Sequence, residues 1–180
     1  MMYNLLRKFL LVLSMLSIIS FIIISNWSAF WGTLPSQGLD PSWLIGLNIA
    51  YLKNFQFGKD IIFTFGPLGF LWIPVIIDYN LWMLSTYFSI FTDLILIFSM
   101  IILFNNLSAK YYHYLILVPI ILFSILPNIA AVEYKLCITS MILIYIVLIK
   151  NYSFRVRLLA IMTSGLLLSI ATLIKFNAFL

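Results

Sequence analysis

From Leu81 to Phe104 the chain carries one charged side chain, Asp93, in an otherwise uncharged and mostly apolar run. A run of that kind is long enough to cross the hydrocarbon core of a bilayer, which takes about 20 mostly apolar residues in a helix. A helix that is apolar on every side has no stable place on a water-soluble surface. Four further runs resemble it, at about Phe9 to Ser25, Tyr111 to Leu126, Leu136 to Ile149 and Leu158 to Ile174. The expected fold is therefore all-α, a polytopic transmembrane helical bundle of about five spans that forms one module over residues 1–180. Composition agrees, since 8% of residues are charged and 64% are hydrophobic, whereas soluble domains carry about a quarter charged residues.

The first run follows Arg7-Lys8, as a secretory signal would, but Asn26-Trp27-Ser28-Ala29 is a poor cleavage site and an uncleaved anchor is expected. Pro119 is expected to kink the third run. The fourth is short and is expected to lean on Lys135 and Lys150 reaching toward water from its two ends. The net charge of +5 is scattered, with no cluster dense enough for nucleic acid, so the bilayer is the expected partner. Basic residues then set orientation. Arg7 and Lys8 place the N-terminus in the cytoplasm, and Lys150, Arg155 and Arg157 fall on the same side. This topology, in a cell membrane, leaves Asp40, Asp60, Asp78 and Glu133 outside the cytoplasm. Cys137 is the sole cysteine, which excludes an intrachain disulfide.

The segment of about 26–80 differs from the rest. Trp27, Trp31, Trp43, Trp72 and Trp82 lie in or beside it, with most of the glycines and Pro35, Pro41, Pro67 and Pro74. Tryptophan favours the membrane interface, and Gly and Pro mark turns. The expectation is an ordered extracytoplasmic loop with surface helices. Asp40-Pro41-Ser42-Trp43 is a helix start in which Asp40 caps the free N–H groups and Pro41 takes the first turn. The helix is expected to run to about Asn54, with Ser42, Gly46, Ala50 and Lys53 along a small or polar stripe. Phe57-Gly58-Lys59-Asp60 and Gly66-Pro67-Leu68-Gly69 read as turns.

Asp93 falls near the middle of the second span, where an unpaired acid costs about 3 kcal/mol or more. Two readings stand. One is a packed, protonated carboxyl facing another helix, with Ser89 one turn away as a hydrogen-bond partner. The other is a proton or ion path, as in a transporter or flippase. Asp60 and Asp78 read as solvated turn residues as readily as functional ones. Glu133 and Lys135 equally mark the aqueous end of a helix.

The order of residues resembles the GT-C class of membrane glycosyltransferases, which includes protein O-mannosyltransferases and aminoarabinose transferases. The resemblance rests on Asp40 after the first span, the aromatic-containing helix from Trp43 to Leu52, Gly58-Lys59-Asp60, and Gly66-Pro67-Leu68. It extends to Glu133 before the fourth span and to Lys175 after Ala171-Thr172-Leu173-Ile174. Two departures stand beside it. Asp40 is followed by Pro41 where many relatives have a second acid, and the class has more spans, so the chain is expected to be the N-terminal part of a longer protein.

The resemblance implies an inverting transfer of a sugar from a polyprenyl-phosphate donor to an extracytoplasmic acceptor. It implies that Asp40 and Glu133 are catalytic, as proton acceptor or as ligands of a divalent metal. Lys175 is then expected to bind the leaving phosphate, with Asp60 as a second substrate-binding residue. The metal requirement is left open. A non-catalytic membrane scaffold is the remaining alternative.

Overall fold

The computed structural model describes residues 38–61, 63–106, 131–150 and 152–176, together with Val12, Leu16, Ser20, Leu34 and Pro35. The expected third span, 111–126 with Pro119, lies outside the described residues, as does most of the first, 9–25. Four helices are described: α1 (Leu39–Leu52), α2 (Tyr79–Asn106), α3 (Val132–Ile149) and α4 (Phe154–Ile174), with a 3-10 turn at Gly69–Leu71. Isolated bridges are the only extended pairing among the described residues. The protein is all-α, and α2, α3 and α4 are each long and apolar enough to cross a membrane. Leu84, Tyr87, Phe91, Leu94 and Phe98 recur along one exposed face of α2, a continuous apolar surface that suits lipid and not water.

α2 opens on Asp78, whose Oδ1 accepts the Leu81 N–H at 3.0 Å, so this turn residue is a helix cap. α3 begins at Val132, four positions before the apolar run, and takes Glu133 and Lys135 into its first turn and a half. α4 likewise begins at Phe154, including Arg155 and Arg157. Charged residues had marked these positions as loop, because hydropathy drops at a charge whether or not that charge is paired.

α2 and α3 run parallel. Asp93 meets Lys135, then Leu96 and Met100 pack on Ile142 and Ile146, and finally the Tyr152 hydroxyl donates to Asn106 Oδ1 at 3.2 Å. α3 and α4 form an antiparallel hairpin in which Ser140 Oγ donates to the Ser164 carbonyl and Ser164 Oγ to the Ser140 carbonyl, at 3.2 and 3.3 Å. Two serines facing each other let the backbones approach closely, as small residues do between membrane helices. The 28 residues of α2 span about 42 Å and the 18 of α3 about 27 Å. With their far ends tied at Asn106 and Tyr152, α2 rises about 15 Å above the start of α3. The segment 63–75 occupies that step, where Phe70 and Leu71 pack on Leu81 of α2. We call this the loop end of the bundle.

The loop is joined to the bundle by backbone. Gly66 and Leu68 donate N–H bonds to the Ile174 and Leu173 carbonyls at 3.1 and 3.0 Å, and the Phe176 N–H returns to the Thr64 carbonyl at 2.9 Å. The last carbonyls of a helix lack partners within it, and here the loop supplies them. A Cβ on Gly66 would run into the Leu173 carbonyl, so only glycine allows the approach.

Two expectations for α1 change. Pro41 has no N–H, so the first intrahelical bond is made by Ser42 N–H to the Gly38 carbonyl at 3.1 Å. That bond makes Gly38 the cap residue, at a φ of 139° that favours glycine, and Asp40 falls inside the first turn. The buried face carries Leu47, Asn48 and Ala50, while Ser42, Gly46 and Lys53 are exposed, so the expected stripe divides.

Candidate functional site

At the loop end, residues from four parts of the chain converge on Glu133. It is 0% exposed in the first turn of α3. Its Oε1 accepts the Trp72 indole N–H at 2.8 Å and lies 3.5 Å from Lys175 Nζ, just past α4. The Lys175 ammonium also stands 5.2 Å from the Phe65 ring centroid and 5.3 Å from that of Trp72, within cation–π range. Trp43 of α1 packs on both rings, at 4.8 and 5.2 Å between centroids. Glu133 Oε2 is buried without a hydrogen-bond partner among the described residues.

Beside this group lies a second ion pair. Lys135 Nζ is 2.7 Å from Asp93 Oδ1 and 3.4 Å from Ser89 Oγ. The Lys135 side chain is 1% exposed and does not reach toward water, because α2 offers a carboxylate within its length. Asp93 does face another helix, and its partner there is the Lys135 side chain. Glu133 and Lys135 are likewise not solvated markers of a helix end. The two pairs alternate in sign from Lys175 through Glu133 and Lys135 to Asp93, and the group as a whole is neutral. Toward the opposite end, Leu96, Met100, Ile142 and Ile146 close the α2–α3 seam with hydrocarbon.

Of the residues singled out by sequence, Glu133 and Lys175 are brought together. Asp60 is in an exposed turn, where its Oδ2 accepts the Gln56 N–H at 2.9 Å. Asp40 is in the first turn of α1, and its side chain lies outside the described residues. Among the described residues no group of three His, Cys, Asp or Glu side chains is placed to hold a metal ion. Lys135 and Trp72 are the site residues that sequence reasoning missed. A lysine on one helix as the partner of an intramembrane acid on another can be guessed only once the helices are paired. Trp72 looked like any interfacial tryptophan, and nothing in its neighbours shows where its N–H points.

No protein-family model, curated protein or solved structure matches the chain.

Proposed function

We propose that the protein is a membrane glycosyltransferase, or the N-terminal part of one, with the loop end on the non-cytoplasmic side of a cell membrane. It would transfer a sugar from a polyprenyl-phosphate donor to an acceptor there. The observation that carries the reading is the Lys175–Glu133 contact beneath an aromatic roof. In this reaction the acceptor hydroxyl attacks the anomeric carbon and its proton passes to Asp40. The bond to the phosphate oxygen breaks with inversion, and the electron pair leaves on phosphate. Lys175 supplies positive charge where that negative charge grows. Glu133 is enclosed and touches Lys175, so it acts here by holding the ammonium in place. Asp60, on the exposed turn, is a binding residue for substrate.

The test is sugar transfer from a polyprenyl-linked donor in membranes containing the full-length protein. Asp40→Asn keeps side-chain shape and loses at most about 1 kcal/mol of helix-dipole interaction, so abundance should hold. Loss of a general base should lower the rate by about 100- to 10,000-fold. Full transfer by Asp40→Asn at normal abundance removes Asp40 from the mechanism. A wild-type protein that never transfers would return the reading to a scaffold.

The Asp93–Lys135 pair favours a second reading, a proton- or ion-coupled transporter. Against it stands the apolar seam of Leu96, Met100, Ile142 and Ile146, which lies between the pair and the far end. Proton-coupled uptake in proteoliposomes that disappears in folded Asp93→Asn protein would favour transport over transfer.

A further inference from the structure

Four aromatic rings from three segments pack together at the loop end. Trp43 comes from α1, Phe63 and Phe65 from the segment docked on α4, and Trp72 from just past the 3-10 turn. Neighbouring centroids are 4.8 to 5.8 Å apart: 4.8 Å for Trp43–Phe65, 5.0 Å for Phe65–Trp72, 5.7 Å for Phe63–Phe65 and 5.8 Å for Trp43–Phe63. The cluster is graded. Phe65 is 4% exposed against the bundle, whereas Phe63 is 40% exposed at the other side.

An interfacial anchor turns its indole N–H toward headgroups and water. Trp72 turns its N–H inward instead, onto a carboxylate that no solvent reaches. The rings are thus organised around the Glu133–Lys175 pair and not around the membrane surface. Together they offer an apolar face and, at its edge, the partly exposed Lys175 ammonium, held from below by the enclosed Glu133. A hydrocarbon chain would match the rings but cover the Lys175 ammonium with hydrocarbon, at a desolvation cost. A pyranose matches both. Its C–H-rich face lies on the electron-rich ring faces, and its hydroxyl oxygens accept from the ammonium. Lys175, with a side chain 20% exposed, is the flexible group between the exposed rings and Glu133.

We propose that Trp43, Phe63, Phe65 and Trp72, edged by Lys175, form a binding platform for a sugar ring. This deepens the glycosyltransferase reading and rests on it for the substrate class, but its test measures binding and not transfer.

The full chain in nanodiscs is titrated with methyl α-mannopyranoside, methyl β-glucopyranoside and methyl β-galactopyranoside. Binding is followed by saturation transfer to the sugar protons. At least one glycoside should bind saturably, and Phe63→Leu, which keeps apolar bulk without a ring, should weaken it about tenfold. Phe63 is exposed enough for the variant to fold, and an unchanged thermal midpoint and circular dichroism confirm that. Trp43→Phe, which keeps a ring, should retain binding. No saturable binding of any of the three glycosides overturns the platform, as does full binding by Phe63→Leu. Brominated acyl chains that quench the platform tryptophans, unrelieved by added glycoside, overturn it too by showing that lipid tails occupy it. Sugar binding without transfer would sink the enzyme and leave the platform. Transfer with undiminished binding by Phe63→Leu would do the reverse.

Discussion

Lys135 of α3 reaches Asp93 of α2 at 2.7 Å, with the lysine side chain 1% exposed. A charge pair so enclosed is strongly asymmetric in its energetics. Desolvating both ions offsets much of their attraction, so the intact pair adds little. Removing one partner strands the other, and that is costly.

Asp93→Asn, which a lone packed carboxylic acid would tolerate, should therefore destabilise the protein by about 3–5 kcal/mol, since an ammonium is left in the bundle without its counter-ion. The double variant Asp93→Leu/Lys135→Met should recover most of that loss. Unfolding of purified protein in graded denaturing detergent compares the three. A double variant as unstable as Asp93→Asn would show that the pair is not the unit argued for.

Two glycines should respond in opposite ways to the same substitution. Gly66→Ala forces a Cβ into the Leu173 carbonyl and should cost about 1–3 kcal/mol by pushing the loop off α4. Gly46 sits mid-helix in α1 with nothing within 4 Å of a Cβ, so Gly46→Ala should stabilise by about 0.5–1 kcal/mol. Thermal midpoints in one detergent measure both signs. Equal shifts would mean that residues 64–68 do not dock on α4 as described.

Trp72→Phe keeps the ring but removes the donor to Glu133 Oε1. A buried acceptor that loses its partner costs about 1–3 kcal/mol. The loss should appear locally, as faster hydrogen exchange at the Gly66 and Leu68 amides that bond α4. Unchanged protection there would show that the indole–carboxylate bond does not hold the loop.

Orientation follows from Arg7, Lys8, Lys150, Arg155 and Arg157. Lys59 at the loop end and Ser153 at the opposite end are both exposed. In a Cys137→Ser background, Lys59→Cys should react with an impermeant thiol reagent on intact cells and Ser153→Cys should not. The reverse pattern would invert the proposed topology and put the loop end in the cytoplasm.

α2 and α4 were legible as spans because a bilayer imposes a one-dimensional rule. Enough consecutive apolar residues must cross, whatever they pack against. The turns at Gly58 and Gly66 were readable for a similarly local reason, since Gly and Pro act on their own backbone. The start of α3 was not readable. Glu133 and Lys135 lower local hydropathy and look like loop, and only Lys175, Trp72 and Asp93 make them interior. Those partners come from other helices and from the docked loop, at separations that no window along the chain covers. The cap position of α1 falls on Gly38 for a local reason, since Pro41 has no N–H and Ser42 makes the first intrahelical bond. Sequence alone determined that this chain is a bundle of apolar helices with a folded aromatic loop. Which of its charges are paired, and which end of the bundle gathers them, was decided by helix packing, because the low dielectric inside a membrane admits a charge only beside its counter-ion.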